Sequence, residues 1–299
     1  MIWMHPLRAA ACASLVVLAA SPPAQACSTC KCGDYSITLL GTEKPYAGRL
    51  RGALDVLVRS ETQGRGASAR ETDEWRNTLG FSYSLSETLI LGAQWPWVRK
   101  RIRDANLAEL EAQGWGDADL VAWWSPYRSG DPSLKQIAGL RFGLRVPTGE
   151  EIARNGSALD IDVQPDAGAL APNLGAWYRY YRFPWLLSVS GTYYFYGEGR
   201  QNFDPGDAAT ASLLGQYAID PNWAIQLGLD LRHAQRNRFD GTPDADSGGT
   251  LGMVYTGIAA RFLQELSVSA GAQLPVIENL HGAQDEDAVL RLSLAYDFR

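Results

Sequence analysis

From residue 288 to the end of the chain, every second side chain is apolar. Leu290, Leu292, Leu294, Tyr296 and Phe298 alternate with Arg291, Ser293, Ala295 and Asp297. A β-strand points successive side chains to opposite faces, whereas a helix repeats every 3.6 residues. Only a strand therefore sorts this segment into one apolar and one polar side. Tyr296 and Phe298 sit together at one end, where a membrane interface accommodates aromatic rings.

The same alternation recurs along the chain. Leu50, Leu54, Val56 and Val58 oppose Arg51, Asp55 and Arg59. Trp75, Leu79, Phe81, Tyr83 and Leu85 oppose Arg76, Thr78, Ser82 and Ser84, and a short turn near Ser86 leads to Leu89, Leu91, Ala93, Trp95 and Trp97. A fourth run is expected over Asp117 to Trp124, and a fifth with Ile137, Leu140, Phe142, Leu144 and Val146 facing away from Arg141 and Arg145. The sixth lies near Leu174 to Tyr181, and the seventh sets Leu187, Val189, Tyr193 and Phe195 against Ser188, Ser190, Thr192 and Tyr194. Runs over 209–219 and 223–231 flank the turn signal Asp220-Pro221-Asn222, and 251–260 and 266–274 precede the closing strand.

Of the 299 residues only 20% are charged and 10% are aromatic, with 30 glycines, a mixture suited to strands and turns. The first 26 residues read as a cleaved leader: Arg8, an apolar stretch from Ala9 to Ala20 too short to span a bilayer, then Ala24-Gln25-Ala26. Losing Arg8 with the leader takes the formal charge from −6 to −7, which argues against a nucleic-acid surface. Residues 27–47 form a short cysteine-containing arm, and 48–299 the remaining domain.

Connections between the runs alternate. Short ones fall near 86, 130, 183, 221 and 263, and long polar ones span about 60–72, 99–115, 148–166, 197–208, 233–248 and 277–287. This is the layout of an all-β transmembrane antiparallel barrel of about twelve strands, with short turns at one rim and longer loops at the other. An even strand count places both mature termini on the periplasmic side of a bacterial outer membrane. A soluble β-sandwich also alternates, but it does not account for aromatic residues at strand ends on the apolar face.

With apolar faces toward lipid, the interior collects Arg51, Asp55, Arg76, Asp119, Arg141, Arg145, Arg179, Asp230 and Arg232, joined by Arg49 and Arg59. These residues either bias permeation toward anionic or polar solutes or pair with one another and stiffen the wall. The acidic groups Asp160, Asp162 and Asp166, then Asp240, Asp244 and Asp246, then Asp285, Glu286 and Asp287 are expected in solvated loops. Calcium binding or cation bridging to lipopolysaccharide is the alternative.

Once the leader is removed, three cysteines remain: Cys27, Cys30 and Cys32. Three thiols cannot all pair within one chain. A Cys27–Cys30 disulfide, a soft-metal site for copper or zinc, and lipid attachment at Cys27 are all open. Lys31 after Cys30 replaces the histidine that covalent haem attachment needs. Catalysis finds no footing. His233 and His281 lack a neighbouring serine or ligand pattern, so the chain is not expected to be an enzyme.

Two short motifs resemble a known family. Gly114-Trp115-Gly116-Asp117-Ala118-Asp119-Leu120 resembles a Gly-x-Gly-Asp start of a strand, and Arg145-Val146-Pro147-Thr148-Gly149 resembles a basic-x-Pro-Thr-Gly strand end. With the Phe298 ending, these are similar to the outer-membrane barrels of the MetA pathway of phenol degradation, or transporter-like, family. The resemblance implies passage of small hydrophobic or aromatic solutes across the outer membrane, with lipid and lipopolysaccharide as surroundings. The other class of function is a barrel scaffold whose cysteine arm binds a soft metal or a periplasmic redox or metal-handling protein.

Overall fold

The computed structural model describes residues 46–129, 135–262 and 265–298. The leader, the cysteine arm with Cys27, Cys30 and Cys32, and the links at 130–134 and 263–264 lie outside the described residues.

Among the described residues, twelve strands wind in sequence order into a closed antiparallel barrel. They are β1 (Leu50–Gln63), β2 (Arg70–Ser84), β3 (Leu89–Asp104), β4 (Glu109–Trp115 continued by Ala118–Arg128), β5 (Lys135–Val146) and β6 (Ala171–Arg182). The remainder are β7 (Trp185–Tyr194), β8 (Ala208–Ala218), β9 (Trp223–Ala234), β10 (Gly249–Phe262), β11 (Leu266–Leu280) and β12 (Gln284–Glu286 continued by Val289–Phe298). Closure is made by β1, where Leu54 lies opposite Leu79 of β2 and Leu294 of β12. Every strand therefore finds two neighbours, and no open edge faces the hydrocarbon, where an unpaired amide would be costly.

The outward face follows the alternation of the sequence. Leu79, Phe81, Leu140, Phe142, Leu227, Leu290 and Leu292 are all exposed on it. Aromatic pairs mark its two margins: Trp185–Tyr217 and Tyr296–Phe298 near the termini, Trp95–Trp115 and Tyr193–Phe195 near the loops. From Trp75 to Tyr83 is about 27 Å along β2 at roughly 3.4 Å per residue, the height of a hydrocarbon band.

The structure corrects three expectations. The segments 60–72 and 99–115 are not long loops; β1–β2 and β3–β4 continue as tall hairpins beyond the Trp75 level, with Gln63 paired to Arg70 and Arg103 to Glu109. Their outward side chains are charged because they stand above the lipid, as in Arg99–Glu111 at 2.6 Å and Arg103–Glu71 at 3.0 Å. Ile137 does not share the lipid face of Leu140 and Phe142. It is fully buried on the inward parity of Arg141 and Arg145. The fourth run starts at Glu109 rather than Asp117, with a break at residues 116–117.

Candidate functional site

The inward parity carries the charged residues expected there, and most meet a partner. Near the termini, Arg49 donates to Asp297 at 2.6 Å and Arg51 lies 3.2 Å from the same carboxylate. On the β4–β6 wall, Arg145 pairs with Asp119 at 2.9 Å and also donates to the Tyr196 hydroxyl at 3.2 Å. Arg141 donates to the Asn173 side-chain oxygen and stacks 5.7 Å from the Tyr194 ring centroid. Arg179 covers Trp177 at 4.5 Å, a cation–π contact between neighbours on the inward face of β6. On the opposite wall Asp55 accepts from Ser293, while Asp230 accepts from Ser212 at 2.6 Å and from Gln273. Arg232 lies beside them, opposite Leu251 in the ladder.

Above this level a girdle of buried charge runs along the inner face of β12, β1 and β2 and on to the loop above. Arg59 is held by Glu286 at 2.7 Å, Glu61 at 2.8 Å and Glu74 at 3.6 Å, and Glu74 also takes Arg76 at 2.8 Å. Arg76 reaches on to Asp166 at 3.6 Å. That last contact is with a loop, not with the wall.

The loop 147–170 turns inward and caps the barrel. Ile161, Asp162, Val163, Gln164 and Asp166 are each at most 2% exposed. Ile161 packs with Ala167, Ala169 and Phe203, and Val163 packs with Ile102 and Ala112. Alternate apolar residues thus fill two small cores on either side of the loop. Gln164 closes the loop on itself, donating to the Ile152 and Leu159 carbonyls and accepting from the Ile152 amide.

Asp117 fastens both ends of the cap. One carboxylate oxygen accepts from the Gly149 amide and the other from the Gly168 amide, each at 2.9 Å. Thr148 accepts from the Ala118 amide at 2.9 Å. The Gly-Asp and Pro-Thr-Gly motifs are therefore two halves of one clasp. At Gly149 a Cβ would lie 2.9 Å from an Asp117 carboxylate oxygen and 3.0 Å from the Gly116 carbonyl carbon, so only glycine fits.

This arrangement overturns the solvated-loop reading for Asp162 and Asp166, and Asp244 and Glu286 are buried too. The cause is compensation: Asp162 receives Arg70 at 2.8 Å, and the buried Lys100 donates to the Asp162 carbonyl. Nor do the acidic groups assemble a calcium site; among the described residues no cluster of three His, Cys, Asp or Glu could hold a metal. Apolar Ile161 and Val163 alternating with Asp160 and Asp162 were the available sign that this loop does not stay in water.

Burial, with the neighbouring Asp160 carboxylate, pushes the Asp162 carboxyl from 3.8 up to about 8, against the pull of Arg70 and Lys100; Asp244 adds to the rise. A carboxyl whose folded value is raised holds its proton in the docked state after the undocked state has lost it. Docking is therefore strongest below the ordinary value and weakens as pH rises through the folded one. Amides of 159–168 should show greater hydrogen-exchange protection at about pH 5 than at about pH 9 after correction for intrinsic rates, and Asp162→Asn should flatten the difference. Equal protection at both pH values would contradict this.

Beneath the girdle lies a cavity of about 130 Å³ whose lining interleaves apolar Leu57, Leu251, Met253 and Val289 with polar Asp55, Asp230 and Arg291. Its wall includes the end of the β11–β12 ladder, which stops at Gln273 opposite Val289; beyond that point Leu274–Leu280 pair with β10.

No family model matches the sequence, and no curated protein matches it. Solved structures do. The COG4313 outer membrane channel from Pseudomonas putida F1 superimposes with a TM-score of 0.68 at 19% identity, over 90% of this chain and 99% of that one. The translocator domain of the autotransporter NalP from Neisseria meningitidis gives 0.50 at 11% identity, over 87% and 91%. The fold is thus that of outer-membrane barrels.

Proposed function

We propose that the chain is a passive outer-membrane channel for small solutes, hydrophobic or aromatic ones among them, with its loop end capped. The observation that carries this reading is a cavity lined by both apolar and charged side chains, inside a closed barrel with an apolar exterior. The termini then face the periplasm and the cap faces outward. The similar Pseudomonas structure is described as an outer membrane channel, which supports the same reading. Arg51, Asp55, Arg76, Asp119, Arg141, Arg145, Arg179, Asp230 and Arg232 set the polarity that a permeating solute meets. The lipid-facing rows contact hydrocarbon, and the charged strip Arg99, Arg101 and Arg103 above the Trp75 level is placed to face lipopolysaccharide.

Osmotic swelling of liposomes carrying the folded chain tests the proposal. Uptake of small solutes should fall steeply with solute size, as a narrow capped pore requires. Liposomes that swell no faster than protein-free ones would reject it. The scaffold alternative, in which Cys27, Cys30 and Cys32 bind copper or zinc or pair with a periplasmic redox protein, predicts bound metal or a mixed disulfide without solute flux. Replacing all three cysteines with serine should leave swelling unchanged on the channel reading.

A further inference from the structure

The cavity wall holds four carboxylates, Asp55, Glu74, Asp230 and Glu286, and four arginines, of which Arg59 and Arg76 are ion-paired in the girdle. Asp230 takes its hydrogen bonds from Ser212 and Gln273, and Asp55 takes one from Ser293. Asp55 lies near enough to Arg291 to interact with its charge, yet the hydrogen bond it accepts is the serine hydroxyl's. Arg291 Nε, by contrast, is buried and has no hydrogen-bond partner. A buried donor left unmade is costly, and a guanidinium offers a fork matched to a carboxylate.

Arg291 sits directly opposite Leu57 in the β1–β12 ladder. Val289, one inward position further along β12, and Leu251 and Met253 of β10 line the same cavity. Cation and apolar surface are thus within one solute's reach. At about 130 Å³ the space is below the roughly 300–1,000 Å³ of drug-sized pockets, so the occupant is small.

We propose that this cavity is a binding station for small amphipathic monocarboxylates, with the carboxylate on Arg291 and the hydrocarbon body against Leu57, Met253 and Val289. The inference rests on the channel reading of the same cavity and narrows it to a class of solute.

The test uses the folded full-length chain with benzoate and with benzyl alcohol, a neutral molecule of similar size. Affinity is read by titration calorimetry in detergent, and block of single-channel current is read in a planar bilayer. Benzoate should bind about tenfold or more tighter than benzyl alcohol and block the current saturably. Arg291→Gln should abolish that preference, and Arg291→Lys, which keeps the charge without the fork, should retain part of it. Heat-modifiable electrophoretic mobility verifies that each variant is folded. Should Arg291→Gln fail to fold, the benzoate-to-benzyl-alcohol ratio of the unaltered chain decides alone. Equal affinity for the two molecules with current present overturns the carboxylate station and leaves the channel standing. Arg291-dependent benzoate binding without any current keeps the station and overturns the channel.

Discussion

Replacing Arg59 with alanine should destabilise the barrel by about 3–5 kcal/mol, the usual cost of stranding a buried charge. Arg59 is the shared partner of Glu61, Glu74 and Glu286, and the side chains concerned are 9% exposed or less. Without it, three carboxylates converge in the lumen, of which Glu74 keeps its pair with Arg76. The expected readout is a lowered urea midpoint for the detergent-folded barrel, with the electrophoretic shift of the folded form lost at lower temperature. Adding Glu286→Gln to Arg59→Ala should recover part of the loss by removing one of the stranded charges. A loss below about 1 kcal/mol would mean that the girdle is hydrated and screened rather than buried.

The second large effect is expected at Asp117. Asp117→Ala removes the acceptor of both the Gly149 and Gly168 amides, at about 1–3 kcal/mol for each donor left unsatisfied. Both losses fall on the ends of one loop, so the consequence is undocking of residues 147–170 rather than collapse of the wall. Hydrogen exchange across 159–168 should rise sharply while the β7–β10 amides stay protected. Asp117→Asn, which keeps one acceptor oxygen, should fall between. Unchanged exchange in the alanine variant would show that the packing of Ile161 and Val163 holds the cap without the clasp.

The membrane-facing part of this fold is readable because lipid imposes one rule on every strand. Phe81 of β2, Leu140, Phe142 and Leu144 of β5, and Leu290 and Leu292 of β12 all point outward as their parity requires. The tall hairpins are not readable, and the reason is a reversal of that rule. Above the lipid, β3 turns Arg99, Arg101 and Arg103 to water and hides Val98 and Ile102, so the apolar side changes face within one strand. Such a segment resembles a polar loop when it is read for an outward apolar stripe.

The candidate site is legible in its wall and not in its cap. Which strand residues face inward follows from a period of two. Which partner each one meets depends on register across strands. Arg145 with Asp119 is set that way, as is Arg59 with Glu286 across the closing seam. The clasp joins Asp117 to Gly168 across 51 residues, a distance over which sequence pattern carries no contact information. Asp162 escapes the sequence for a related reason: carboxylates default to water unless cations are brought to them, and Arg70 and Lys100 arrive from β2 and β3.

The central claim is a solute path inside the barrel that the clasped cap restricts. Single-channel recording of the unaltered chain beside Asp117→Ala, in the same planar bilayer, tests it most directly. Small, salt-dependent openings from the unaltered chain and several-fold larger ones from Asp117→Ala are the result predicted. Silence from both proteins, each verified as a folded barrel, would contradict it.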